Sequence, residues 1–252
     1  MNADPRTWSR DSICLRDSSL DVTSIAAELY HLTCRANFDA PGFGVLSLDH
    51  HIDSVTCRQF MVDLKLEMAA IHETASGNAL AYLSAGRFDQ QLTTRPHLDG
   101  GPDECFLMLG YEPSAIDSEL RIFDYAKCAF DLGLSPKEFM VRHNPMFRSG
   151  YDILLPYCSR ISCFSPRDYQ IICINNSTAP YSQSKPAWQG NLHTATILTP
   201  DESKRRVINS TMIASVPAGT SDAVDTEELN DFISTSVVHC QVSDKVQPKT
   251  IN

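Results

Sequence analysis

The hydrophobic periodicity of this chain changes at Gly77, and that change limits the folds open to it. Before Gly77, two stretches repeat apolar residues at helical spacing. Residues 21–38 place Val22, Ile25, Ala26, Leu29 and Leu32 on one face, and residues 54–73 do the same with Cys57, Phe60, Met61, Leu64, Met68 and Ile71. Pro41-Gly42 breaks the first helix, and Phe43-Gly44-Val45-Leu46 reads as a short strand. After Gly77 the pattern is one of short strands: 79–84, 92–95, 105–111, 160–165, 169–175, 193–198 and 206–213. The run Ile171-Ile172-Cys173-Ile174 is apolar on both faces, which predicts burial on both sides. Helices first and strands after predict a mainly β, α+β fold with flanking helices.

A chain of 252 residues fits one domain with appendages. We expect a flexible arm over 1–20, a single domain over 21–215 and a polar tail or lid over 216–252, the last holding one short helix near 226–233. Residues 117–147 read as an insertion. Within it Ser135-Pro136-Lys137-Glu138 is a helix start, with an N-cap serine, proline at the first position and glutamate placed for a capping box.

The 21 basic residues against 31 acidic ones give a net charge of -10, which disfavours nucleic acid and anionic membrane as partners. The first twenty residues lack an apolar signal core, and no apolar run reaches the length of a membrane span, so a cytoplasmic protein is expected. The nine cysteines are odd in number and contain no CxxC pair, which predicts reduced thiols rather than a disulfide framework. Asn-x-Ser/Thr triplets begin at Asn175, Asn176 and Asn209 and are taken as chance.

Two segments carry chemistry. The first is Thr93-Thr94-Arg95-Pro96-His97-Leu98-Asp99-Gly100-Gly101. Two residues apart on an extended chain puts His97 and Asp99 on the same face. The second is Trp188-Gln189-Gly190-Asn191-Leu192-His193-Thr194-Ala195, followed by Arg205-Arg206 at the head of a strand. There His193 shares a face with Ala195 and Ile197. Arg206 shares one with Ile208, Ser210 and Met212, while Arg205 points with Val207 and Asn209. Each residue has a blander reading: a surface His-x-Asp turn, a core histidine on a backbone carbonyl, or hairpin charges beside Lys204. The other histidines are weaker candidates. His143 sits near the end of a capped helix, His239 lies in the tail, and adjacent His50 and His51 face oppositely. No GxSxG, P-loop or GxGxxG occurs, and Glu227-Glu228 reads as solvated charge.

Taken together, His97-x-Asp99, a distant His193 and an arginine on the next strand resemble the Fe(II)/2-oxoglutarate-dependent oxygenase superfamily over residues 43–213. The resemblance implies a double-stranded β-helix core (jelly-roll, cupin-like). It implies Fe(II) held by His97, Asp99 and His193, with Arg206 (or Arg205) pairing with the far carboxylate of 2-oxoglutarate. It also implies molecular oxygen as co-substrate and hydroxylation, desaturation or cyclisation of a small molecule, such as an amino acid or an intermediate of specialised metabolism. Arg95, Tyr181 and Trp188 are substrate-binding candidates by position. The arginine lacks the Arg-x-Ser signature of the plant and penicillin-type enzymes. Two alternatives are a cupin-like metalloenzyme that does not use 2-oxoglutarate and a non-catalytic jelly-roll binding module.

Overall fold

The computed structural model describes residues 8–9, 13–16, 21–48 and 51–240. The strands are β1 (Cys14–Arg16), β2 (Phe43–Ser47), β3 (Asn78–Asp89), β4 (Cys105–Tyr111), β5 (Ser118–Phe123), β6 (Cys158–Arg160), β7 (Gln170–Asn175), β8 (Leu192–Ile197), β9 (Val207–Pro217) and β10 (His239–Cys240). The helices are α1 (Val22–Thr33), α2 (Ser54–Ser76), α3 (Tyr125–Asp131), α4 (Pro136–Arg142), α5 (Arg148–Leu154) and α6 (Thr226–Ser234), with a 3-10 turn at Leu155–Tyr157. Seven strands form a mixed sheet in the order β1-β2-β7-β4-β9-β3-β10, and three form a second sheet in the order β6-β5-β8. The fold is α+β.

Side-chain alternation assigns each strand of the large sheet two partners. Phe106 and Met108 of β4, Ile171 and Cys173 of β7, and Ile213 of β9 pack under α1 and α2 with Leu29, Cys57, Met61 and Leu64. The intervening residues Leu107, Leu109, Ile172, Ile174 and Met212 face the small sheet and meet Leu120, Ile122 and Ala195. All six residues of β7 are buried, as its two-sided apolar run predicts. Each large apolar side chain so enclosed stabilises the fold by roughly 1.5–3 kcal/mol.

Helix α2 starts where Asp53 accepts a hydrogen bond from the Thr56 N–H at 2.7 Å, and ends at Gly77, whose φ of 74° is left-handed. Helix α1 is shorter than its periodicity suggests. The chain leaves it at Cys34 so that buried Arg35 reaches the Asp124 carboxylate at 2.5 and 2.9 Å and the Ala40 carbonyl at 2.8 Å. The capping box at Ser135 and Glu138 is present.

Several expectations change. Residues 14–16, read as part of a flexible arm, pair in parallel with β2. Residues 118–123, read as part of an insertion, supply the central strand of the small sheet, where β5 pairs with both β6 and β8. That strand reads as separate because its partners lie far along the chain. Within the expected tail, α6 packs against the α2 side of the large sheet and β10 pairs with β3. Residues 241–252 lie outside the described residues. Cys14 and Cys163 form a disulfide across 149 residues, which corrects the reading that all thiols are reduced. No local spacing announces that pair, and it removes the thiol argument for a reducing compartment. Among the described residues, Cys34, Cys57, Cys105, Cys128, Cys158 and Cys173 are free, and burial pushes each of these thiols up. Asn175, Asn176 and Asn209 are buried, so none presents a glycosylation site. Among the described residues no helix is long and apolar enough to cross a membrane.

Candidate metal centre

The segment after β3 does not form a regular strand, yet it pairs with β8. The Thr94 N–H donates to the Ala195 carbonyl at 3.0 Å. Further on, His97 and His193 exchange both backbone hydrogen bonds, at 3.2 and 3.1 Å, in an isolated antiparallel bridge. Directly opposed residues present their side chains on one face. The two imidazole rings accordingly lie 4.3 Å apart, centroid to centroid.

Asp99 follows two residues after His97. Its carboxylate oxygens lie 3.7 Å from His97 Nε2 and 3.9 Å from His193 Nε2. The candidate ligand atoms of His97, Asp99 and His193 all fall within 4.8 Å of one another. Buried Asn176, just past β7, fixes the backbone at Asp99. Its Oδ1 accepts from the Asp99 N–H at 3.1 Å, and its Nδ2 donates to the Asp99 carbonyl at 2.7 Å.

The electrostatics suit a cation. His97 Nδ1 lies 2.8 Å from the Arg95 carbonyl. A carbonyl only accepts, so Nδ1 carries a hydrogen and Nε2 is the ring nitrogen that faces Asp99. Burial, then the neighbouring His97, push the His193 imidazole down to about 3, so it is neutral near pH 7. Burial also raises Asp99, with His97 opposing the shift. His193 Nδ1 is buried without a hydrogen-bond partner among the described residues. Two imidazoles and a desolvated carboxylate form a donor set for a divalent transition metal, and they fit Fe(II).

The three residues border a cavity of about 270 Å³ between the two sheets, walled mainly by Leu107, Leu109, Ile122, Ile174, Ile208 and Met212. Its far end is reached along β5. Ile122 pairs with His193, and Ser118, four residues earlier, accepts from Arg206 Nε at 3.0 Å. Four strand residues span roughly 13 Å. Arg206 is 2% exposed, whereas Arg205 is exposed. Arg206 Nη1 donates to the Gln90 carbonyl at 3.1 Å and to Gln90 Oε1 at 2.6 Å. The guanidinium carbon lies 5.2 Å from the Tyr111 ring centroid. Arg206 Nη2 is buried without a partner, and no carboxylate among the described residues lies within ion-pair distance of this guanidinium. Burial pushes the Arg206 pKa down, against the raising effects of Tyr111, which also hydrogen-bonds the side chain, and of the Asp89 carboxylate at its backbone N–H. Gln90 and Tyr111 line the cavity in front of it.

The substrate candidates divide. Arg95 is exposed, stacks 5.9 Å over Tyr151, and touches the site through its carbonyl on His97. Tyr181 packs instead against Phe38 and Phe130, at 5.4 and 5.0 Å. Trp188 is buried on the helix side of the large sheet, 5.1 Å from His72. Neither Tyr181 nor Trp188 lines the cavity, so a place in a long loop was a poor guide to function. Among the other histidines, His143 ends α4 against Phe139 and His239 sits over Phe88; His50 lies outside the described residues. Gln90, Tyr111, Ser118 and Asn176 were missed. They carry no motif and gain their roles only through strand pairing.

No protein-family model matches this sequence, and no curated protein matches it. Among solved structures, the chain is similar to one described as "iron and alpha-ketoglutarate-dependent endoperoxidase NvfI with different conformation". The identity is 12%, the TM-score 0.41, and the match covers 69% of this chain and 76% of that one. At that distance the likeness decides nothing about the chemistry.

Proposed function

We propose that this chain is a non-haem Fe(II)- and 2-oxoglutarate-dependent oxygenase acting on a small molecule. One observation carries the reading. A cluster of two imidazoles and a carboxylate borders one end of a cavity, and a buried guanidinium with no carboxylate among the described residues within ion-pair distance backs the other. His97, Asp99 and His193 would hold the metal on one face, which leaves positions open for co-substrate and oxygen. When bound, the iron supplies oxygen activation coupled to oxidative decarboxylation of 2-oxoglutarate to succinate. Arg206 would pair with the far carboxylate. The gap along β5 suits an extended five-carbon dicarboxylate plus the reach of the arginine side chain. The apolar walls exclude water from the reacting centre. Two sheets facing each other across this cavity support the double-stranded β-helix reading.

The walls also bear on the substrate. The ionisable side chains lining the cavity are His97, Asp99, His193 and Tyr111, the first three of them assigned to the metal. A substrate ammonium or carboxylate would find no partner there, and an unpaired buried charge is costly. Of the two kinds expected, a largely apolar natural-product intermediate therefore fits better than an amino acid.

The test is anaerobic titration with Fe(II) and then 2-oxoglutarate. The parent protein is expected to develop a visible charge-transfer absorption, and Asp99→Ala to lose it together with metal binding. Metal binding without the band would point to a metalloenzyme that does not use 2-oxoglutarate. Failure to bind metal would leave a non-catalytic module.

A further inference from the structure

We propose that Gln90 is a specificity-determining positioning residue: its neutral amide aims Arg206 without cancelling its charge, and so keeps the guanidinium open to an anionic ligand. The proposal rests on the reading of Arg206 as the partner of a 2-oxoglutarate carboxylate.

Gln90 is 7% exposed and follows the last residue of β3. Both of its oxygens accept from Arg206 Nη1, and its own N–H donates to the Arg206 carbonyl at 3.1 Å. A further fixed contact of the guanidinium is also neutral, the Ser118 hydroxyl on Nε. Three neutral acceptors thus hold the fork in place, the Tyr111 side chain adds a fourth neutral neighbour, and Nη2 makes no hydrogen bond of good geometry to the described residues.

A carboxylate at position 90 would behave differently, as the same protein illustrates. Arg87 meets Glu112 at 2.8 Å, and that guanidinium has every nitrogen engaged. Glutamate has the shape of glutamine, so amide and acid at position 90 differ in charge and in the Nε2 donor that only the amide carries. The other arm of Gln90 reaches the metal side. Its Nε2 donates to the Leu92 carbonyl, at the start of the segment that carries His97 and Asp99. One side chain therefore references the anion-binding group to the metal-binding loop.

The test compares Gln90→Glu and Gln90→Leu with the parent, all loaded with Mn(II) so that no turnover occurs. Calorimetric titration with 2-oxoglutarate gives the affinity, and thermal melting is followed without the anion. We expect Gln90→Glu to weaken 2-oxoglutarate by roughly 100-fold or more, because the guanidinium is already neutralised and the new charge repels the ligand. Mn(II) affinity should stay at the parental value, and the ligand-free protein should melt near the parental temperature, the new ion pair with Arg206 offsetting the lost bond to the Leu92 carbonyl. Gln90→Leu keeps the charge and loses the aim, so it should weaken 2-oxoglutarate by roughly 10-fold and melt lower. A fall in 2-oxoglutarate affinity in Gln90→Glu with Mn(II) affinity and melting temperature kept is what a merely structural role does not produce. Parental 2-oxoglutarate affinity in Gln90→Glu overturns the proposal, as does a joint fall of metal affinity, anion affinity and melting temperature. If the Mn(II)-loaded parent itself ignores 2-oxoglutarate, the reading of Arg206 fails first and takes this one with it.

Discussion

The large sheet buries arginines on both faces, and the two faces treat them oppositely. On the helix side, Arg58 and Arg87 share one carboxylate. Glu112 accepts from Arg87 at 2.8 Å, lies 3.5 Å from Arg58, and also takes bonds from Ser54 and Asn209. The nitrogens of both guanidinia are taken up further by the Ile233 and Thr235 carbonyls, which dock the end of α6. On the cavity side, Arg206 has neutral partners and one nitrogen unassigned. Alternation along β9 separates the two environments: Asn209 serves Arg87, while Ile208 faces the cavity in front of Arg206. A buried charge with its partners present is structure. A buried charge without a counter-ion is costly to keep, and its retention argues for a ligand that completes it.

The contrast is easiest to break by removing the shared acid. Glu112→Ala leaves two buried guanidinia without a carboxylate and should destabilise the fold by about 3–5 kcal/mol, read as a lower urea midpoint. Arg206→Met should change stability by no more than about 1 kcal/mol. It should instead weaken 2-oxoglutarate binding by roughly 2–5 kcal/mol while sparing the metal, measured by titrating the Mn(II)-loaded protein. If Arg206→Met unfolds the protein as Glu112→Ala does, the two arginine sites are alike and the distinction is lost. Arg205→Ala serves as the control and should leave both quantities at parental values.

Smaller effects sharpen the picture. Asn176→Ala removes both hydrogen bonds to the Asp99 backbone and should weaken metal binding roughly 10–100-fold, checked by competition with a chelator of known affinity. The smallest effect is a pH dependence. Burial tends to raise Glu112, but bonds from Ser54, Arg87 and Asn209 outweigh it and hold the carboxyl below its usual value of 4.5. The unfolded chain then takes up this proton first as pH falls. The stabilisation is complete above about pH 4.5 and declines below it. The stability gap between the parent and Glu112→Gln should therefore narrow on going from pH 6 to pH 4.

Much of this arrangement is legible in local pattern. Helical spacing and the caps at Asp53 and Gly77 mark α2, and the period of two lets only one of Arg205 and Arg206 face inward, which the fold resolves as Arg206. The same period puts His97 and Asp99 on one face. What eludes the sequence depends on pairings between distant segments. β5 reads as an insertion because its ladder to β8 joins residues 69 to 79 positions apart. Cys14 and Cys163 have no local signature. Trp188 and Tyr181 lie away from the cavity, because a loop's composition says nothing about which side of a sheet it will cross.

The reciprocal main-chain pair between His97 and His193 has a practical consequence. Their separation is set by amide and carbonyl groups that every non-proline residue possesses, not by the imidazoles themselves. The scaffold of the proposed centre is thus set by main chain rather than by its donors, and a new side chain at either position should leave the other in place. This makes the centre a suitable chassis for retuning metal preference. A His193→Glu exchange, for instance, shifts the donor set toward oxygen and toward harder ions such as Mn(II), on an unchanged backbone.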